Sequence, residues 1–329
     1  MLQIYSTELG TLKPIPNPRD PADLAGAILI DLWDATPDEV QTVERALGIR
    51  IRMPEELDRF YISDQVQSAD GLLTLKALVL AGLDRHQPAL VPVTFIRTKG
   101  PLVTISKGSP NGLSWLIAEC QESAPETAKD VFPAILDMII DHSTNVLDRV
   151  GSELDGTNRK LFQHHATPKR RLRLFSTTRR RTQQLETILT ELGYWREVLV
   201  KLRRSVLSFR RLVGLLRERV LEDDLAKKLL AFEHELLAIA EAEVYLSSGG
   251  AFMLDGAVGY ITILQSKTIN IMTIVGVLLT PPVLVASVYG MNFKFMPELQ
   301  WEWGYAWALG LMAVSAVAMF VFVRARGWL

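Results

Sequence analysis

Long runs of uncharged, mainly apolar residues mark the C-terminal part of this chain. No charged residue occurs in residues 268–293 or in residues 303–323. At a rise of ~1.5 Å per residue, each run is long enough as a helix to cross a hydrocarbon core of about 30 Å. No comparable run precedes Lys267. The pattern predicts transmembrane helices at 268–293 and 303–323, joined by a short loop, 294–302, and preceded by a large region outside the bilayer.

Residues 1–122 combine β-prone runs with one clear helix start. Thr36 and Glu39 have capping-box spacing, and Pro37 occupies the first helical position, so a helix is predicted to Leu47. The last two β-prone runs flank a Lys99-Gly100 turn, which predicts a hairpin. The β-prone runs are residues 27–32, 72–80, 92–97 and 102–106. Together these signals predict an α/β domain.

Residues 123–267 are rich in helix formers, and a heptad pattern predicts a helical or coiled-coil stalk. The apolar seam consists of Leu225, Leu229, Phe232, Leu236, Ile239 and Leu246. No proline interrupts residues 172–280, so the stalk could continue into the first span. Residues 247–250, Ser-Ser-Gly-Gly, fit either a hinge or a close approach of neighbouring helices.

Charge and cysteine content predict where the chain resides. Lys267, Arg324 and Arg326 flank the spans on one side, whereas the 294–302 loop holds one Lys and two Glu. The positive-inside rule then predicts a cell inner (plasma) membrane protein with both termini, including the basic tail 324–329, in the cytoplasm. The N-terminus has no basic and apolar signal-peptide pattern. A single cysteine, Cys120, fits a reducing compartment, and a net charge of −1 suggests no nucleic-acid partner.

The sequence shows no constellation for catalysis. It has no Ser/His/Asp spacing, no phosphate-binding glycine loop and no cysteine pair, so we expect no enzyme. Two spans per chain cannot enclose a pore. Transport would therefore require self-association around an axis.

The end of the first apolar run carries the sequence Gly290-Met291-Asn292. Alone, this pattern is typical of a glycine helix cap followed by a turn. At a bilayer edge it would also place an uncharged amide carbonyl beside water, which suits a hydrated cation. Pro281 and Pro282 lie within the same apolar run, before Gly290, and remove two backbone N–H donors from the helix. They indicate either a simple kink or a hydrated pore wall.

The C-terminal motifs together resemble the CorA family of magnesium transport proteins. The resemblance rests on the Gly290-Met291-Asn292 signature, the Met296-Pro297-Glu298-Leu299 loop, the two spans and a basic tail ending in Trp328-Leu329. It implies a homopentameric funnel: an α+β cytoplasmic domain, a long helical stalk that continues into the pore-lining helix, and a second transmembrane helix outside it. It also implies a divalent-cation channel for Mg²⁺, with cobalt or nickel as further candidate substrates, gated by intracellular Mg²⁺.

The resemblance assigns roles to particular residues. Asn292 matches the asparagine whose ring forms the outer selectivity site, with Gly290 and Met291 shaping the turn. Asp255 matches an acidic pore-facing position near the cytoplasmic end. Four small or hydroxylated residues on one helix face are pore-lining candidates or, alternatively, a helix-packing stripe. They are Thr273, Gly276, Thr280 and Ser287. Glu298 in the outer loop either attracts cations or is a solvated charge.

Several positions depart from the family pattern. Ser266 and Asn270 replace the asparagine and the basic residue usual there. Glu233 and Glu235 resemble part of an acidic regulatory metal element, but Ala231 stands where a carboxylate is expected.

A basic run between two predicted helices is a second departure. Its residues are Lys169, Arg170, Arg171, Arg173, Arg179, Arg180 and Arg181. The run is interpreted as a solvated face or as a contact with anionic lipid head groups.

Two alternative functions stay open. One is a ZntB-type zinc transporter of the same superfamily. The other, from a different class, is a membrane-anchored coiled-coil scaffold that conducts nothing. The uncharged Met291-Asn292 sequence at the helix end favours a magnesium transporter over both alternatives.

Overall fold

A computed structural model describes most of the chain. The described residues are 1–8, 11–14, 26–51, 65–69, 72–107, 125, 127–162, 176–219, 223–292, 294 and 296–327. Cys120 and the basic residues 169–173 lie outside them.

The described strands form one mixed sheet of seven strands, in the order β2-β1-β3-β7-β6-β5-β4. β3 and β7 are parallel, and the other described neighbours are antiparallel. β6 and β7 form the hairpin predicted around Lys99-Gly100, with Arg97 opposite Leu102. The strands are β1 (Leu2–Glu8), β2 (Thr11–Pro14), β3 (Leu29–Trp33), β4 (Val66–Ala69), β5 (Leu72–Ala81), β6 (Ala89–Arg97) and β7 (Leu102–Ser106).

The first described helix, α1 (Pro37–Leu47), packs on one face of this sheet. Its capping box is confirmed: the Thr36 N–H donates to Glu39 Oε2 (2.9 Å), and the Glu39 N–H donates to Thr36 Oγ1 (3.4 Å). Val40 and Val43 enter a buried cluster with apolar residues of β1, β3, β6 and β7. Burial of this apolar face, rather than the cap alone, holds α1 on the sheet.

After the sheet, the described residues form four further α-helices: α2 (Ala128–Phe162), α3 (Ser176–Arg217), α4 (Asp223–Tyr289) and α5 (Gly304–Ala325). The α+β fold class with long helices is therefore confirmed. α4 has 67 residues, about 100 Å at helical rise, and runs unbroken through residues 247–250. A Cβ on Gly250 would lie 3.9 Å from Leu154 of α2, which supports close helix packing there.

α3 completes an edge of the sheet. β4 pairs with β5 only between Leu72 and Leu75, so the backbone of Leu78 lies beyond the end of β4. Two serines of α3 replace the missing strand. Ser205 Oγ donates to the Leu78 carbonyl (2.7 Å), and the Leu78 N–H donates to Ser208 Oγ (3.1 Å). These bonds satisfy buried backbone groups that would otherwise cost stability.

The heptad seam of α4 is confirmed at its centre. Leu229, Phe232, Leu236 and Ile239 are buried, whereas Leu225 and Leu246 are half-buried. α3 runs antiparallel to α4, as two ion pairs indicate: Arg217 with Glu233, and Arg203 with Glu243.

Two described helices are long and apolar enough to cross a membrane: α4, in the part that ends at Tyr289, and α5. The chain divides into two compact units. The first contains Met1–Pro168 and Ile188–Met253, and the second contains Lys169–Thr187 and Leu254–Leu329.

Glu243 occupies a seam position to which the sequence pattern assigns no role. Its side chain is 2% exposed and accepts a hydrogen bond from Arg203 Nη1 (3.2 Å). Burial raises the pKa of this carboxyl, and the Arg203 guanidinium offsets part of that effect. The ionised form is therefore less favoured in the folded protein than in the unfolded chain.

This shift predicts a pH-dependent stability difference. A carboxyl with a raised folded-state pKa favours folding while it is protonated, and that contribution is lost as the pH rises through the folded pKa. Between pH 4 and 7 we expect wild type to lose thermal stability relative to Glu243→Gln. Glu241→Gln, an exposed neighbour on α4, is the control for removal of one charge. If wild type instead gains stability relative to Glu243→Gln as the pH rises, the pKa of Glu243 is not raised in the folded protein.

Candidate functional site

The Gly290-Met291-Asn292 motif forms the end of α4. The Gly290 N–H donates to the Ala286 carbonyl (2.9 Å), and the Met291 N–H donates to the Val288 carbonyl (3.3 Å). A Cβ on Gly290 would lie 3.2 Å from the Ala286 oxygen, tighter than most real contacts. Glycine therefore lets the last turn close tightly before the chain leaves the helix.

Asn292 follows this turn, and its side chain is exposed. Within the described part of the chain, no residue forms a hydrogen bond with its amide. The amide carries an acceptor oxygen and two N–H donors without formal charge. Such a group can accept hydrogen bonds from the waters of a hydrated cation without stripping them. The assignment of Asn292 as a selectivity residue stays a prediction.

The four predicted pore residues of the first span are all exposed and share one face of α4. Two of their hydroxyls bond back to the helix. Thr273 Oγ1 donates to the Ile269 carbonyl (2.9 Å), and Thr280 Oγ1 donates to the Gly276 carbonyl (2.8 Å). Each hydroxyl oxygen keeps lone pairs that can accept from water. This face of the first candidate span therefore offers hydrogen-bond acceptors, whereas the other exposed side chains of the span are mainly apolar.

Asp255, the predicted acidic pore residue near the cytoplasmic end, is exposed on α4. Leu237 and Val244, in the part of α4 before Met253, are also exposed.

Pro281 and Pro282 lie inside α4 without ending it. Their rings remove the donors that the carbonyls of Val277 and Leu278 would use in a regular helix. The structure leaves the kink and the hydrated-wall interpretations both open.

The loop after Asn292 is held against the start of α5. Pro297–Gln300 form a short 3-10 helix, and Glu298 in it is exposed. A Cβ on Gly304 would collide with the Glu298 carbonyl oxygen, so only glycine fits there. Trp301 and Trp307 pack with ring centroids 6.3 Å apart. Residues 297–300 are therefore held against the start of α5, with Glu298 exposed.

The two predicted regulatory carboxylates have different surroundings. Glu233 pairs with Arg217 of α3. Glu235 is exposed and lines a groove between α2 and α4 that also contains Asp137 and Asp141. Burial and the charge of Asp141 raise the pKa of Asp137.

Sequence reasoning does not identify this acidic groove. Its α2 carboxylates nevertheless recur with the spacing of one helix face, which is a usable signal: Asp137, Asp141, Asp148 and Asp155. Among the residues described, no three His, Cys, Asp or Glu side chains form a metal-binding group.

A fold with one mixed sheet, three long helices and two C-terminal candidate spans defines a membrane protein with most of its mass outside the bilayer. The sequence matches the family described as "CorA-like Mg2+ transporter protein" over residues 26–325. The chain therefore belongs to the CorA family.

Individual relatives agree with that family. The magnesium transport protein CorA of Haemophilus influenzae (strain ATCC 51907) is 25% identical over 319 residues, covering 94% of this chain and 95% of the relative. The CorA protein of Pectobacterium atrosepticum is 26% identical, covering 94% of each. The structure of the CorA magnesium transporter from Methanocaldococcus jannaschii superposes with a TM-score of 0.67 at 16% identity, covering 100% of this chain and 99% of that one. The last similarity supports the fold alone.

Proposed function

We propose that this chain is a homopentameric channel for Mg²⁺ in the cell inner membrane, with both termini in the cytoplasm, and that it is not an enzyme. The observation that carries the proposal is the exposed, uncharged Asn292 at the end of the unbroken helix that contains the first candidate span. Membership of the CorA family supports Mg²⁺ as the substrate. The lipid bilayer and the other subunits are its partners.

Selection at the mouth would act on the hydrated ion. Mg²⁺ gives up its waters reluctantly, so a ring of amide oxygens can bind the hydrated ion through hydrogen bonds. Glu298 in the outer loop would form a ring of carboxylates that raises the local cation concentration. A divalent ion gains about 4.6 kcal/mol per 100 mV on moving inward, so the membrane potential suffices as the driving force.

Uptake into liposomes separates this proposal from its alternatives. Purified protein should admit Mg²⁺, with cobalt and nickel as candidate further substrates. Zinc uptake without Mg²⁺ uptake would favour the ZntB-type transporter. The scaffold alternative predicts that no divalent cation enters.

Substitution of Asn292 tests the mouth directly. Asn292→Ala should lower Mg²⁺ uptake by tenfold or more. Five lost hydrogen bonds at about 0.5 kcal/mol each exceed the ~1.4 kcal/mol that corresponds to tenfold. The control is Asn145→Ala, an exposed asparagine of α2. Uptake at the wild-type rate by correctly assembled Asn292→Ala would remove Asn292 from the site.

Self-association has its own support in α4. Leu230, Leu237 and Val244 recur every seven residues and are 43%, 36% and 45% exposed. They lie one position after the buried seam residues Leu229, Leu236 and Glu243, so they form a second, uncovered apolar seam. Exposed apolar patches of this kind mark interaction sites. Packing of subunits around an axis would cover this seam.

A charge in the uncovered seam should disrupt assembly. Leu237→Glu would place several carboxylates in an apolar interface, where desolvation and like-charge repulsion oppose association. We expect a lower oligomer mass by light scattering in detergent. Phe162→Glu, at an exposed apolar position at the end of α2, is the matched control. If Leu237→Glu keeps the full oligomer mass, the seam does not form the interface.

We further propose that intracellular Mg²⁺ is a regulatory ligand as well as the substrate. Bound Mg²⁺ would hold the subunits together, and its loss would shift the population towards an open pore. The surroundings favour Glu235 over Glu233 as a ligand, because Arg217 already neutralises Glu233.

Limited proteolysis tests this regulatory proposal. Changing both Glu233 and Glu235 to Gln should weaken the protection by Mg²⁺, and Glu235→Gln alone should have most of the effect. Glu241→Gln, exposed on the same helix, should leave protection intact. Unchanged protection in the double variant would exclude both residues as the sensor.

A further inference from the structure

The groove between α2 and α4 combines carboxylates with apolar side chains. Of the described residues that line it, five are carboxylates and one, Arg159, is a cation, so the groove is negatively charged. Asp141, Asp148 and Asp155 recur every seven residues, about 10.5 Å apart along α2. In the described part of the chain, none of these three carboxylates forms an ion pair. The apolar lining residues include Ile140, Leu147, Ile239 and Leu246.

The exposed side of α3 has the opposite charge. Val200 and Leu207, seven residues apart, are 49% and 45% exposed although both are apolar. Arginines three or four residues from them lie on the same side of the helix. Among the described residues, these arginines have no ion-pair partner. Together with Val200 and Leu207 they define a basic face of α3: Arg196, Arg204, Arg210 and Arg211, all exposed.

The acidic groove and the basic face match in charge and in period. Charged and apolar positions recur every seven residues on both, so successive arginines of one helix can meet successive carboxylates of another while apolar side chains pack between them. Arginine suits this contact, because its guanidinium forms bidentate hydrogen bonds with a carboxylate. Within one chain the two surfaces do not meet, since Val200 and Leu207 remain exposed. The matching surface must therefore come from a second copy.

We propose that the basic face of one subunit docks into the acidic groove of the next. The inference rests on the self-association of the proposed channel and identifies the two surfaces that meet. A ring of more than two identical subunits needs two different, complementary surfaces on each chain, because its contacts are heterologous. The groove and the basic face are such a pair. The groove also adjoins the uncovered apolar seam of α4, since its lining residue Tyr245 directly follows Val244.

Charge reversal in the full-length protein tests the docking. Asp141→Arg with Asp148→Arg should lower the oligomer fraction in detergent about tenfold or more, because like charges would face each other across the contact. Arg204→Glu with Arg211→Glu should have the same effect for the same reason. All four substitutions in one chain should restore most of the oligomer, because each reversed surface then meets a reversed partner. Light scattering at a fixed protein concentration measures the oligomer fraction.

Matched variants separate the docking from general charge. Asp38→Arg with Glu153→Arg makes the same change in charge at exposed positions outside the groove. Arg45→Glu with Arg85→Glu does so at exposed positions outside α3. Both control pairs should keep the wild-type oligomer fraction. Recovery in the fourfold variant is the decisive measurement, since damage to folding would add up rather than cancel.

The outcomes distinguish this docking from the function on which it rests. A monomeric wild type would overturn both the proposed self-association and the docking. An oligomeric wild type whose mass is unchanged by the groove reversal would overturn the docking alone and leave the groove to a different cationic partner. Loss of the oligomer in both reversed pairs without recovery in the fourfold variant would show that the two surfaces do not face each other. Mg²⁺ uptake by wild type measures conduction separately.

Discussion

A bilayer core accepts polypeptide only if every backbone donor and acceptor is satisfied internally, and α4 is built around that constraint. The helix enters the apolar segment without interruption, and its backbone hydrogen bonds continue to Tyr289 except at Pro281 and Pro282, which leave the carbonyls of Val277 and Leu278 without their regular donors. At the end of the helix, Gly290 and Met291 still donate to the last turn. The candidate mouth therefore begins where the regular helix ends.

In the part of α4 before Met253, Leu237 and Val244 are exposed although apolar. An exposed apolar seam of this kind is costly in water and is typical of a surface that another molecule covers. The proposed packing of subunits around an axis would cover it.

Much of this architecture was predictable because it depends on local rules. The capping box at Thr36, the β6–β7 hairpin, the α4 seam and the two apolar helices each follow from spacing, propensity or length within one segment. Not every local element was predicted, since strands β1, β2 and β4 lie outside the β-prone runs. Other features that the sequence did not indicate depend on partners distant along the chain. Ser205 and Ser208 bond to Leu78, more than a hundred residues earlier, because β4 ends before it reaches that backbone.

The charged residues that the sequence analysis did not identify also depend on partners distant along the chain. Glu243 occupies a seam position, where a carboxylate is unexpected from the apolar pattern, and it is tolerated there because Arg203 of α3 reaches it. In the groove between α2 and α4, the α2 carboxylates show a helix period in the sequence, but only the fold brings Glu235 to them.

In the proposed oligomer, the candidate site is shared between subunits. A single exposed amide such as Asn292 competes poorly with water for a hydrated ion, because each hydrogen bond it offers replaces one of similar strength. A ring of such amides would gain by pre-organisation, because the same backbone turn at Gly290 would precede Asn292 in every copy. A ring of carboxylates at the same point would hold the ion more strongly and release it more slowly, which works against conduction. In the proposed channel, the carboxylate of Glu298 in the outer loop would attract the ion, and the neutral amide of Asn292 at the mouth would let it pass.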